Sequence, residues 1–310
     1  MPSQAALKLN EAPEKHPSSP MIKFAAFLLI ISPIYSFAQA TFDELLEETN
    51  YLITDYERLS PWVAFYPLDS LHISPRHMDE LEADFESLSD SVETINLIYY
   101  YHEWIFENLT SLVALDEFGQ LEMTKAFASS LQVASSPDQN LVSFNLDEKT
   151  GGSYRSRMSL LIFRPSEFSD GYQILSEGPT DGYTAIHQLE STSGTKYLLK
   201  GEVMGCNTCF ESYVDLVRID SASFVYELNL HVIARSFNEG VSYDANTKIL
   251  SINYHLNDLF QEVICPLNRE EQQLYEHANT ADYDTFYRCN CSYQWKGETF
   301  ELIQSSFVQD

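Results

Sequence analysis

Apolar and polar positions follow two different rhythms along this chain, and the change comes near residue 130. From Thr41 to about Leu115 the apolar residues recur every three or four positions, the spacing that lines one face of a helix. Phe42, Leu45, Leu46, Thr49, Ile53 and Tyr56 form the first such stripe. Ser74-Pro75 reads as an N-cap followed by the first helical residue, with Met78, Leu81, Phe85 and Leu88 as the stripe behind it. Asp90-x-x-Glu93 has the form of a capping box and should open a longer helix carrying Ile95, Ile98, Ile105, Leu109 and Leu112. Within that helix, Tyr99-Tyr100-Tyr101-His102-Glu103-Trp104 is an aromatic stripe, which packing against a neighbouring element explains best. About three helices, joined by loops such as Ser60–Leu71, make residues 41–128 an N-terminal helical region.

From about Leu131 the period is two. Val142, Phe144 and Leu146 alternate with Ser143 and Asn145, and strands are expected over Met158–Phe163, Tyr183–Leu189, Tyr197–Val203, Tyr213–Ile219, Phe224–Leu230, Ile249–Tyr254 and Cys291–Trp295. Turn clusters separate them: Ser136–Asn140, Asp147–Gly152, Thr192–Thr195, Asp220–Ser223 and Asp244–Thr247. Short strands with tight turns predict antiparallel pairing, not βαβ units. The fold class is therefore mainly β with an N-terminal helical region (α+β). The β-rich domain spans 129–310, built as an antiparallel sandwich or partial propeller-like sheets, with a short insertion at 266–288.

The first forty residues stand outside both rhythms. Residues 21–40 read as a secretory signal peptide, with a basic start at Met21-Ile22-Lys23, an apolar run from Phe24 to Tyr35 and a small-x-small site at Ala38-Gln39-Ala40. Residues 1–20, with four prolines and no apolar period, read as a mis-called start before Met21. Cleavage after Ala40 would leave 270 residues and shift the net charge from −28 to −29. Such acidity repels phosphate backbones, so nucleic acid is excluded as a partner. No later apolar run is long enough for a membrane helix, so an exported protein, periplasmic or secreted and with no stable membrane insertion, is expected.

The sweep Ala134–Asp138 to Leu141–Phe144, Lys149-Thr150-Gly151-Gly152 and Gly194-Thr195-Lys196-Tyr197-Leu198-Leu199 resembles uncharacterised exported β-rich proteins of Gram-negative bacteria over residues 130–300. The resemblance implies an exported β-rich domain with no established activity. Phe144-Asn145 departs from it, since an aromatic-Asp pair is common there, and so do cysteines in two loops.

The five cysteines are the constellation with most chemistry: Cys206, Cys209, Cys265, Cys289 and Cys291. In an exported chain they are disulfide candidates. Alternation of faces along a strand argues against a bridge within Cys289-x-Cys291, so Cys265 should pair with one of that couple and close 266–288, while Cys206–Cys209 staples its own loop. Two alternatives use the same thiols: a zinc site of Cys206, Cys209, Cys289 and Cys291, or redox chemistry at Cys206-x-x-Cys209. No nucleophile elbow, metalloprotease helix or phosphate loop is present, and His187, His231 and His255 sit singly in strands. Carboxylate pairs such as Glu47-Glu48 and Glu270-Glu271 read as solvated surface. The expectation is a non-enzymatic binding or scaffold module, with an unknown protein or glycan ligand and no cofactor. The alternatives are a hydrolase of extracellular polymer acting through an unidentified carboxylate pair, and a metal- or thiol-dependent protein.

Overall fold

In the computed structural model, residues 41–85, 90–151, 155–164, 171–180, 182–205, 210–220, 223–234, 236, 238–256, 263–281 and 287–309 are described. The expected signal peptide and the Cys206–Cys209 loop lie outside them. Chain from Ala40 onward forms one compact unit.

Helix α1 (Phe42–Arg58) starts at a capping box that the period alone does not reveal: the Thr41 side chain accepts from the Glu44 amide while Glu44 accepts from the Thr41 amide. Strands β1 (Phe65–Pro67) and β2 (Ser91–Glu93) form a short antiparallel ribbon around α2 (Pro75–Asp84), which is capped by Ser74 with Pro75 first, as expected. The Asp90–Glu93 box is not formed. Glu93 makes no side-chain cap bond, because Ser91–Glu93 is held extended by pairing with β1, and α3 (Thr94–Val113) begins one residue later. A short α4 (Met123–Ala126) follows.

Twelve strands then form three four-stranded antiparallel meanders in chain order. The first sheet holds β3 (Gln132–Ser135), β4 (Leu141–Asp147), β5 (Arg157–Phe163) and β6 (Gln173–Thr180). The second holds β7 (Ala185–Ser191), β8 (Gly194–Met204), β9 (Phe210–Asp220) and β10 (Ser223–Ala234). The third holds β11 (Gly240–Asp244), β12 (Ile249–His255), β13 (Tyr287–Trp295) and β14 (Phe300–Gln309), with α5 (Arg269–Ala281) between β12 and β13. Among the described residues there are thus five α-helices, against about three expected, and α5 fills the stretch read as an insertion. Each sheet has two edges, so none closes into a barrel.

The layers stack helix, sheet, sheet, sheet. Val142, Phe144, Leu146, Leu160 and Ile162 of the first sheet share a core with Leu52, Tyr56, Tyr101, Trp104 and Leu109 of the helices. The opposite face, through Leu141, Leu161 and Phe163, meets Ile186, Tyr197, Leu199 and Val217 of the second sheet. The second sheet's other face, through Leu198, Val214 and Leu216, meets Leu250, Ile252, Tyr254, Cys289 and Trp295 of the third. Burial on both faces is why β4 carries no exposed residue although its sequence alternates: Ser143 and Asn145 lie inside too. The Asn145 side chain satisfies itself there, accepting from the Ser143 and Ser159 hydroxyls and donating to the carbonyls of Gln132 and Tyr183. Strand β12, in the outermost sheet, keeps strict alternation.

Two polar pins register the layers. Lys149 reaches across from the first sheet to the C-terminal end of α1, donating to the carbonyls of Tyr56, Glu57 and Leu59, where helix carbonyls lack intrahelical partners. Lys196 of β8 is buried and pairs with Glu227 at 2.6 Å and Glu298 at 3.2 Å. Glu298 in turn accepts from Thr192 and Ser193, which pulls its pKa down to about 2.

A candidate binding groove between the first two sheets

Stacked sheets twist, so two of them touch well along one edge and splay at the other. Here the turn joining β3 and β4 is tied to the second sheet: Tyr197 donates to Asp138 at 2.9 Å, and Asp138 also holds Ser136 and the Asn140 amide. At the far edge, where β6 faces β9 and β10, the seam opens into a groove of about 690 Å³. Leu161, Leu175 and Ser176 form one wall and Glu211, Tyr213, Asp215, Phe224, Tyr226, Asn229 and His231 the other, with Gly182 and Tyr183 at the base.

The β9–β10 hairpin presents these side chains by simple alternation. Tyr213 and Asp215 point into the groove, while Val214 and Leu216 point to the core shared with the third sheet. An extra residue in β10, between Tyr226 and Leu228, shifts the register. Tyr226 and Asn229, three apart, therefore both reach the same face. Two glycines make room. Gly201 lies opposite Tyr213 across the ladder, and a Cβ there would fall 1.9 Å from the Tyr213 ring. Gly182 adopts φ +62°, and a Cβ on it would sit 1.9 Å from the Asn145 side-chain oxygen.

Asp215 is the chemical centre. It is 5% exposed and accepts from the Tyr183 hydroxyl at 2.7 Å and from the Asn229 amide at 2.6 Å. Burial raises its pKa, and these two hydrogen bonds work against the rise. No Lys or Arg pairs with it among the described residues. Tyr213 donates to the Gly182 carbonyl. The rings meet edge to face, Tyr183 with Tyr213 at 5.9 Å and Phe224 with Tyr226 at 5.8 Å. At the other end His231 and Glu211 pair at 3.1 Å, both partly exposed. Glu211 and Asp215 are four residues apart on one strand, about 13 Å by strand rise, which is wider than the carboxylate spacing of glycoside hydrolases.

Cys265, Cys289 and Cys291 meet elsewhere, on the inner face of the third sheet. Cys265 is bonded to Cys291, with Cα atoms 5.6 Å apart, so Cys265 does pair with one of the expected couple and closes the segment bearing α5. The argument that kept Cys289 and Cys291 apart needs correcting: residues two apart on a strand share a face, and both are buried on the inner face of β13. They lie inside β13, and β14 follows it as the last strand. Cys289 is a free thiol whose pKa burial pushes up to about 12, and Tyr254 lies opposite it on β12. With Cys291 oxidised, the four-thiolate zinc set is not assembled; Cys206 and Cys209 lie outside the described residues.

Other polar groups singled out in the sequence have structural partners. His102 meets the Tyr56 hydroxyl at 2.6 Å, in a buried cluster between α3, α1 and β4. His187 packs on Tyr243 and His255 pairs with Glu239 at 2.9 Å. Glu47 accepts from Tyr51, and Glu271 completes a capping box with Asn268 at α5. A smaller cavity of about 300 Å³ is lined by Arg155 and Arg157, but Arg155 pairs with Asp147 and Arg157 donates to the Glu202 carbonyl. Compared with known proteins, the chain matches no protein-family model, no curated sequence and no solved structure.

Proposed function

We propose that this protein is exported, loses the residues up to Ala40, and acts in the periplasm or outside the cell as a non-enzymatic binding module whose ligand sits in the groove around Asp215. The observation that carries this reading is the groove itself: about 690 Å³, walled by four aromatic rings and holding a buried carboxylate. Concave, largely aromatic sites with a few fixed polar groups are the usual form of ligand pockets. The wide spacing of Glu211 and Asp215 weighs against the hydrolase alternative at this site. Export is supported by the signal-like pattern of residues 21–40 and by the folded unit beginning at Ala40, with Thr41 already capping α1. The three successive meanders are read as blades of a partial propeller, each packed on the next in chain order.

Expression of the full chain in a Gram-negative host, followed by fractionation and N-terminal mass analysis, tests export. A product beginning at Thr41 in the periplasm or medium is expected; an uncleaved cytosolic chain overturns that part. For the groove, a ligand screen against wild type and Tyr226→Ala is decisive. Hits lost in the variant support the site, and hits retained unchanged place binding elsewhere.

A further inference from the structure

The reading of the groove as a binding site leaves the ligand's chemistry open, and the groups around Asp215 narrow it. Among the described residues, the Asp215 side chain is hydrogen-bonded by neutral donors alone, Tyr183 and Asn229, although the residue is only 5% exposed. Buried carboxylates are costly unless a cation compensates them. Among the described residues the lining of the groove contains no lysine or arginine; its one basic side chain there, His231, is engaged by Glu211 at the far end. Each carboxylate oxygen has taken one donor and retains a second acceptor direction.

Around that uncompensated charge stand the rings of Tyr183, Tyr213, Phe224 and Tyr226. Aromatic faces carry negative potential and attract cations, most strongly where water is excluded. The chain's net charge of −28 enriches cations near any opening in its surface. A phosphate or carboxylate ligand would meet two acidic side chains and, among the described residues, no lysine or arginine. A neutral sugar could stack on Tyr226, which is 52% exposed, but would leave the Asp215 charge unanswered.

We propose that the groove between the first and second sheets binds an alkylammonium group, with Asp215 as its counter-ion and the four rings as its apolar walls. The proposal rests on the groove being a ligand site and adds the class of ligand. Two sources share this chemistry: a free polyamine, and a lysine side chain on a partner protein.

The test is calorimetric titration of the purified protein with spermidine, with a short lysine-containing peptide and with a neutral oligosaccharide. The proteins compared are wild type, Asp215→Asn, Tyr226→Ala and, as a control for diffuse surface charge, Glu117→Gln in the helical layer. Tyr226 is exposed, so its truncation keeps the test valid if Asp215→Asn fails to fold. Expected is saturable binding of an amine, weakened ~10-fold or more by Asp215→Asn, ~3-fold or more by Tyr226→Ala and unchanged by Glu117→Gln. Tighter binding of the peptide assigns a protein partner, and tighter binding of spermidine a free polyamine. Amine binding that does not saturate, or that falls equally in Glu117→Gln, overturns the proposal. Binding of the oligosaccharide alone, lost in Tyr226→Ala, overturns the ammonium assignment and leaves the groove standing. Binding of none of the three overturns the ammonium assignment, and binding indifferent to both groove variants overturns the groove as well.

Discussion

Strand β9 has two faces that have met opposite fates. Val214 and Leu216 point into a dry seam with the third sheet, closed by Leu250, Ile252 and Trp295 and bounded by the Lys196 ion pairs. Tyr213 and Asp215, one residue along in each case, point into an open seam with the first sheet. The same backbone, with the same twist, supports both. The difference is that one seam is filled by buried apolar side chains, Tyr254 and Trp295 among them, whereas the other carries a carboxylate that cannot be packed shut without burying its charge further. On the function proposed above, a stack of sheets gains a ligand site where one face of a strand departs from the aliphatic pattern.

Four changes should sharpen that contrast, in descending order of effect. Gly182→Ala forces a Cβ into the Asn145 side chain at a positive φ. It should cost about 3 kcal/mol or more in denaturant unfolding and open the base of the groove. Reducing the Cys265–Cys291 bond, which spans 26 residues, should cost about 3 kcal/mol. That loss should leave ligand binding at the groove intact, since the bond lies in the third sheet and the groove between the first two, and mass spectrometry with and without reductant confirms which thiols are bonded.

Acidification should set two regions against each other. His77 is buried against Trp104, and burial lowers its pKa to about 4. Above pH ~6.5 it is neutral in both states; below that the unfolded chain takes a proton that the fold refuses, until the pH nears 4. The helical layer should thus lose about 2–3 kcal/mol across this window. Asp215 has the opposite sign: its pKa is raised on folding, so its contribution is present at low pH and lost as pH rises past the unfolded carboxylate value. Urea melts at neutral and acidic pH should show the wild-type acid loss reduced in His77→Gln and enlarged in Asp215→Asn. The smallest effect expected is Lys149→Met, which frees the carbonyls at the end of α1 and should cost about 1–2 kcal/mol.

Many of the strands and turns were legible in the sequence, because alternation and turn chemistry are local. Ser136–Asn140, Thr192–Thr195 and Asp244–Thr247 all form turns; in the last, Asp244 accepts from Asn246 and Thr247 as an Asx turn should. What escaped was non-local. Strand β14, with Leu302, Ile303 and Val308 exposed on an edge, lacks the alternation of a half-buried strand. Ser91–Glu93 went to a strand because Phe65–Pro67, far away in sequence, pairs with it. The hairpin that builds the groove was visible as Tyr213–Ile219 and Phe224–Leu230, and an aspartate inside an apolar strand was its one local signal. That Tyr183 and Asn229 converge on Asp215 depends on a register shift in β10 and on two glycines. No period encodes those.

The central claim is that Asp215 stands in the groove for a ligand and not for the fold, and the most direct test compares it with its neighbour on the opposite face. Equilibrium unfolding at neutral pH should show Leu216→Ala losing about 2–5 kcal/mol, as a filled core position does, and Asp215→Asn staying within ~1 kcal/mol of wild type, because a buried uncompensated charge is removed while its neutral partners remain. An Asp215→Asn loss as large as that of Leu216→Ala would make the carboxylate a structural element and contradict this account.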